Sequence, residues 1–242
     1  MRIESIAAQE QAWNRQQLEQ PVAAPVWRFW RYEQPAIVLG CSQRALHERL
    51  LAGPDAPRME VLLRDSGGGA VLTGPWMLGL SLALPLGHPW LAHGLIDSYR
   101  PLGQLCAEVL NEQGVPAQAL APQQVSAMQT ALGARGLPVL DWACFGNLSP
   151  WEVVDAQGRK LVGLAQRRRQ TGVLLVAGLL TAHPPWEQLC DALGRAGDAE
   201  VLGQRTSSGS HRLDGMSGVE SWRAVLQTRL QLVLAGDDGV RV

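Results

Sequence analysis

Glu152-Val-Val-Asp155-Ala-Gln-Gly158-Arg-Lys160-Leu-Val-Gly163-Leu-Ala165-Gln166-Arg167-Arg-Arg169-Gln170-Thr-Gly172-Val-Leu-Leu-Val-Ala-Gly178-Leu-Leu180 is the stretch whose reading decides the fold. It divides into three short strands: Trp151 to Val154, Lys160 to Gln166 and the apolar run Val173 to Leu180. Turns at Asp155-Ala-Gln-Gly158 and around Gln170-Thr-Gly172 reverse the chain twice, which predicts antiparallel pairing. A lysine just past a hairpin turn is ordinarily a solvated edge residue. Gly158 and Gly163 bracket Lys160, however. Glycines so placed mark bulges or points where a ligand approaches the backbone, so Lys160 is a candidate functional residue.

Composition narrows the class. With 46% hydrophobic and 18% charged residues, the 242-residue chain is globular and long enough to bury a core. A net charge of −1 argues against a general nucleic-acid binder. No apolar run approaches the roughly 20 residues of a membrane helix, and the first residues lack the apolar core of a secretory signal. Cys41, Cys106, Cys144 and Cys190 are far apart and form no Cys-x-x-Cys pair, which disfavours a disulfide framework and structural zinc. The expectation is a cytoplasmic protein with no membrane, nucleic-acid or metal site.

Upstream of the deciding stretch, residues 4 to 19 read as an amphipathic helix. Val26 to Tyr32 and Ala36 to Gly40 read as strands on either side of a Glu33-Gln-Pro35 turn, and Ser42 as the cap of a helix from Gln43 to Leu51. Pro54 and Pro57 mark a loop, and Val61 to Leu63 a short strand. The loop Arg64-Asp-Ser66-Gly67-Gly68-Gly69-Ala70 follows. Val71 to Thr73, a Gly74-Pro75 turn and Leu78 to Leu84 read as a hairpin. Three successive glycines adopt backbone angles barred to other residues and can bare amides to a ligand, while Arg64 offers a cation for a phosphate or carboxylate. The alternative is a plain flexible loop. Neither a Walker loop nor a dinucleotide fingerprint is present.

Beyond it, Ile96 to Gln113 reads as one amphipathic helix carrying a buried Cys106. Val115 to Leu120 is strand-like, and the segment to Ala134 has no clear pattern. Cys144 falls in a Gly/Asn/Ser/Pro loop, where an exposed thiol can act as a nucleophile. Helices are expected at Trp186 to Leu193 and Val219 to Leu234. Residues 203 to 218 read as a polar loop and 236 to 242 as a frayed tail. The whole, 1 to 242, is expected to be one α+β domain with a mixed, mostly antiparallel sheet flanked by helices.

Three stretches, taken together, carry a resemblance: Trp30…Pro35-Ala-Ile-Val-Leu-Gly-Cys41-Ser-Gln43, Arg64-Asp-Ser-Gly-Gly-Gly-Ala-Val71 and Gly158-Arg-Lys-Leu-Val-Gly-Leu-Ala-Gln-Arg167. They are similar to the lipoate–protein ligase and octanoyltransferase superfamily, relatives of the biotin protein ligases. The resemblance implies that fold. It also implies that the glycine loop (Arg64, Ser66, Gly67, Gly68, Gly69, Ala70, Val71, Thr73) and the lysine segment (Gly158, Gly163, Ala165, Gln166) shape the acyl site. In that family the motif lysine, here Lys160, contacts the acyl carbonyl.

The resemblance leaves two mechanisms. A ligase needs ATP and Mg²⁺ to make an adenylate of free lipoate. A transferase takes octanoyl from acyl carrier protein or a lipoyl domain onto a cysteine, then onto the target lysine of a lipoyl-domain protein, with no cofactor. Cys144, ahead of Trp-Glu-Val-Val and Gly-Arg-Lys, matches the cysteine of the transferase branch. The larger bacterial ligases also carry a C-terminal accessory domain, and the expectation here is that none accompanies this catalytic domain. A neighbouring ammonium favours the thiolate, and backbone amides near the loop are candidates for holding the oxyanion. Thr73, Gly79, Cys41 and Leu164 stand where the family more often has histidine, asparagine, arginine and serine. Each removes a polar contact, more to the detriment of an adenylate than of an acyl chain. A catalytically silent acyl or lipoyl-domain binder is the remaining alternative. The run Arg167 to Arg169 is a solvated edge or a contact for an acidic partner domain.

Overall fold

The computed structural model describes residues 4–52, 57, 59–209 and 215–237, with side chains at 219–236 in the last segment. In chain order its helices and strands are α1 (Ile6–Gln16), β1 (Val26–Arg31), β2 (Ala36–Leu39), α2 (Arg44–Ala52), β3 (Glu60–Leu63), β4 (Val71–Thr73), β5 (Met77–Leu84), α3 (Gly94–Asp97) and α4 (Arg100–Glu112). These are followed by β6 (Gln118–Ala119), α5 (Pro122–Ala134), β7 (Val153–Val154), β8 (Lys160–Arg169), β9 (Gly172–Leu180), α6 (Trp186–Ala192), α7 (Ala199–Arg205) and α8 (Gly215–Asp237). The α+β expectation holds, with two sheets in place of one. The large sheet runs β1-β5-β9-β8-β7-β6, antiparallel throughout. The small one runs β3-β2-β4, with β2–β3 parallel and β2–β4 antiparallel.

The deciding stretch folds as its alternation and turns predict. Gly158 sits at φ 78°, the left-handed turn position that a side chain resists. The first strand is shorter than read, two residues with a register shift against β8. Period-two alternation then sorts side chains between two cores. From β5, Leu78, Leu80, Leu82 and Leu84 face α4 and α8, where Leu105, Val109, Trp222, Leu226 and Leu230 meet them. Met77 and Leu180 face the opposite way, toward Ile37, Leu39 and Leu72 of the small sheet and Trp186 and Leu189 of α6. Burying each such leucine contributes about 1.5–3 kcal/mol, so β5, buried along its whole length, anchors both layers.

Several expectations are corrected. Val71–Thr73 and Leu78–Leu84 are not a hairpin: β4 pairs with β2 and β5 with β1 and β9, so the Gly74-Pro75 turn hands the chain from one sheet to the other. Ser42 lies inside a 3₁₀ turn, Cys41–Gln43. The entry is capped by the Gln43 side chain, whose Oε1 accepts from the Gly40 N–H at 3.0 Å, and the helix begins at Arg44. The single helix read from Ile96 to Gln113 breaks at Ser98-Tyr99, where the Ser98 hydroxyl donates to the Leu95 carbonyl and Pro101 opens the second helix. The patternless segment is helix α5 with Pro122 in its first turn. Part of the expected polar loop is helix α7, and residues 215 to 218 begin α8; residues 210 to 214 and 238 to 242 lie outside the described residues. Among the described residues no helix is long and apolar enough to cross a membrane.

Candidate functional site

Cys144 opens a 3₁₀ turn, Cys144–Gly146, at the margin of the small-sheet core. Two backbone bonds fasten this turn to the glycine loop: Ala70 N–H donates to the Trp142 carbonyl at 2.7 Å, and Cys144 N–H to the Ala70 carbonyl at 2.8 Å. Glycine is required for the approach. A Cβ at Gly69 would lie 2.5 Å from the Trp142 carbonyl oxygen, and one at Gly40 would lie 1.8 Å from that of Gly68. Gly68 itself takes φ 95°. Gly40, Gly68 and Gly69 therefore let three backbone segments close on one another beneath the cysteine. The amides of Ala70 and Cys144 are engaged in this bracing and are not open to an oxyanion.

Arg64 is corrected in the same way. Its guanidinium donates to the carbonyls of Val38, Gly67 and Gly69 at 2.8–3.3 Å, and the residue is buried. It staples the loop rather than presenting a cation to a phosphate.

Above this brace lies a mainly apolar cavity. Of the residues expected at the acyl site, Cys144, Arg64, Val71, Thr73, Gly163 and Ala165 line it. Glu10, Gln11, Tyr32, Val38, Met77, Phe145, Leu164, Val176, Ala177 and Gly178 complete it. Ser66, Gly67, Gly68, Gly69 and Ala70 do not line it, and Gly158 belongs to the hairpin turn beside Met128. Gln166 points elsewhere, donating to the Leu95 carbonyl at 2.9 Å.

Lys160 is buried, against the solvated-edge reading. The segment after α7 covers it, with Ser207 N–H donating to the Lys160 carbonyl. Its ammonium lies 2.6 Å from Glu152 Oε2, donates to the Cys144 carbonyl at 2.7 Å and stands 5.5 Å from the Phe145 ring centre. It does not line the cavity. Glu152 also accepts from the amides of Ser149 and Leu164 at 2.7 and 3.2 Å. Burial pushes its carboxyl above the usual range, and the Lys160 ammonium and these amides pull against that rise. The residue before it, Trp151, has φ 67°, a left-handed conformation of the kind that clusters at functional sites.

A second buried carboxyl, Glu10 of α1, accepts from the Tyr32 hydroxyl at 2.7 Å. Burial pushes its pKa to about 7 against the Tyr32 bond, the Arg64 charge and the Asn14 contact. Burial also raises the Tyr32 phenol, reinforced by Glu10. Gly79, where the resemblance more often has asparagine, makes room for Tyr32: a Cβ there would lie 2.4 Å from its hydroxyl. Glu10, Tyr32 and Glu152 went unread in the sequence because buried and exposed polar side chains look alike there; Glu10 lies between Gln9 and Gln11 on a helix read as amphipathic. Among the described residues no group of three or more His, Cys, Asp or Glu is placed to hold a metal ion.

Residues 3–211 match the family model of the lipoyl protein ligase A/B catalytic domain. An octanoyltransferase LipM of Exiguobacterium sp. is 31% identical over 150 residues, 62% of this chain and 52% of the relative. An octanoyl-[GcvH]:protein N-octanoyltransferase of Kyrpidia tusciae is 28% identical over 237 residues, 93% and 74% of the two chains. The chain spans 52%, 69% and 49% of the lengths of three LipM relatives. In fold it is similar to a bipartite lipoate protein ligase of Thermoplasma acidophilum, with TM-score 0.61, 15% identity and coverage of 94% and 79%. The match spans most of the sequence and includes the glycine loop, the Cys144 turn and β8, so the chain belongs to the lipoyl protein ligase A/B catalytic domain family.

Proposed function

We propose that the protein transfers an octanoyl or lipoyl group to the lysine of a lipoyl-domain protein through a thioester on Cys144. The observation that carries this is the placement of the Cys144 side chain in an apolar cavity, on a turn braced by the glycine loop and by Lys160. The names of the similar transferases support the same reaction class.

In the first step the thiol sulfur attacks the acyl carbonyl of the donor, a thioester on acyl carrier protein or a lysine amide on a lipoyl domain. The Sγ–C bond forms, the donor's S–C bond (carrier protein) or N–C bond (lipoyl domain) breaks, and the thiol proton leaves with the donor as its free thiol or amine. In the second, the neutral amine of the target lysine attacks. A C–N bond replaces the Sγ–C bond, and one amine proton returns to Sγ. No oxidant, nucleotide or metal enters the balance.

Lys160 uses two of its three N–H donors on Glu152 and the Cys144 carbonyl, and so fixes the backbone that carries the nucleophile. Because Lys160 does not line the cavity, its part in this reading is to position the Cys144 turn rather than to touch the acyl carbonyl. The adenylating route, with ATP and Mg²⁺, finds less support: Arg64 donates to backbone carbonyls, and Thr73 donates to the Ala36 carbonyl.

The test is transfer from octanoylated carrier protein to a lipoyl domain without ATP, in wild type and Cys144→Ser. The reading requires transfer by wild type and its loss in the variant. Transfer that depends on ATP and free acid, and survives Cys144→Ser, would replace it with the ligase. A silent binder would show neither.

A further inference from the structure

Gly163, Gly178 and Gly79 lie in register on three adjacent strands, β8, β9 and β5. Register partners share a face of the sheet, so the three glycines leave one cross-strand row without side chains. At about 4.8 Å between strands, this glycine row runs roughly 10 Å across the sheet. Its two ends differ. At Gly163 a Cβ would sit 3.6 Å from the Cys144 sulfur, so the nucleophile stands over the near end. Midway, the Met77 sulfur comes within 3.2 Å of the Cβ position of Gly178. At Gly79 the Tyr32 hydroxyl fills the place of the absent side chain and is held there by its bond to Glu10; the Trp30 Cβ would lie 3.2 Å from the same added carbon. Val38, Val71, Val176 and Phe145 give the cavity apolar walls.

A row without side chains, starting under a nucleophilic sulfur and walled by aliphatic groups, accommodates an unbranched alkyl chain. What closes it is the Tyr32–Glu10 pair. Both residues are buried and bonded to each other, so the end is fixed rather than adaptable. We propose that Tyr32, held by Glu10 over Gly79, is the end wall of the acyl channel and sets the longest chain that Cys144 accepts. This rests on the acyl-transfer reading of Cys144. Tyr32 is here a specificity-determining residue and Glu10 the residue that positions it.

The experiment is calorimetric binding of straight-chain alkanoic acids, lengthened one methylene at a time, to the full chain. Each buried methylene tightens binding roughly fourfold, so affinity climbs with length and breaks where the chain end reaches Tyr32. Tyr32→Ala, or Tyr32→Leu should the alanine variant not fold, moves the break to longer chains. Tyr32→Phe keeps the ring but removes the hydroxyl at Gly79 and its bond to Glu10, and moves the break by less than the alanine variant does. Gly178→Ala, whose new methyl meets only the flexible end of Met77, moves it to shorter chains. An unchanged break in the Tyr32 variants that open the end, or no break in wild type, overturns the proposal.

The same series offered as N-acetylcysteamine thioesters, read as intact-protein mass, separates this proposal from the one beneath it. A length break that follows Tyr32 in binding, with no adduct at any length, sinks the Cys144 thioester and leaves the end wall standing. Adducts whose length limit ignores Tyr32 do the reverse.

Discussion

The Lys160 ammonium and the Glu152 carboxylate lie 2.6 Å apart with their side chains 1% and 3% exposed, and the same ammonium holds the carbonyl of Cys144. A buried ion pair need not stabilise a fold on balance, because desolvating both charges offsets their attraction. Here its position is what matters: it ties β8 to the turn that carries the thiol.

Removing one partner strands the other charge in the core. Glu152→Ala is therefore expected to cost about 3–5 kcal/mol in chemical denaturation. The apolar pair Glu152→Leu with Lys160→Met should recover much of that loss, because no charge then remains buried. The recovered protein should nonetheless transfer acyl groups poorly, since nothing fixes the Cys144 carbonyl. A stable, fully active double variant would show that the pair serves the fold alone.

Gly67 and Gly69 are neighbours in sequence with opposite surroundings. A methyl at Gly67 meets nothing within 4 Å, whereas one at Gly69 collides with Trp142 and Ala143 beneath the cysteine turn. Gly67→Ala should stay within about 0.5 kcal/mol of wild type with normal acylation. Gly69→Ala should lose roughly 1–3 kcal/mol, as overpacked sites do, and slow acylation of Cys144 although Gly69 does not touch the cavity. Equal behaviour of the two variants in denaturation and acylation would contradict the bracing role of the loop.

Glu10 carries a pH signature. Its folded pKa, about 7, is raised from an ordinary 4.5, so its contribution to stability is intact below pH 4.5 and is lost as pH rises through 7. At about 1.4 kcal/mol per unit, the loss approaches 3 kcal/mol at alkaline pH. Glu10→Gln, which cannot ionise, should be more stable than wild type at pH 8 by up to that amount, with the gap closing toward pH 5. Urea midpoints across this range are the measurement; a gap that is constant with pH would remove Glu10 as the titrating group.

Much of the frame was legible because it depends on local pattern. The hairpin from Lys160 to Leu180 shows its alternation and turns in the sequence itself, and Cys106 lies on a helical stripe that the fold buries. The errors fall where tertiary pairing decides. Nothing local distinguishes a Gly74-Pro75 hairpin from a crossing between two sheets. The segment to Ala134 shows no clear pattern because, of the residues in α5, only Leu132 is fully buried, which leaves little apolar stripe to see; Pro122 sits in its first turn, where proline is favourable. At the candidate site, Cys144 and Lys160 were singled out by residue type and resemblance. Their relationship, through a backbone carbonyl and a glutamate, exists only in three dimensions. The glycine row is likewise invisible until register aligns Gly79, Gly178 and Gly163.

The central claim is that Cys144 carries the acyl group, and intact-protein mass spectrometry after incubation with octanoylated carrier protein, without ATP, tests it most directly. The account predicts a single octanoyl adduct that hydroxylamine removes and that Cys144→Ser does not form. An adduct that persists in Cys144→Ser, or a wild-type protein that stays unmodified while it lipoylates a lipoyl domain with ATP and free acid, would contradict it.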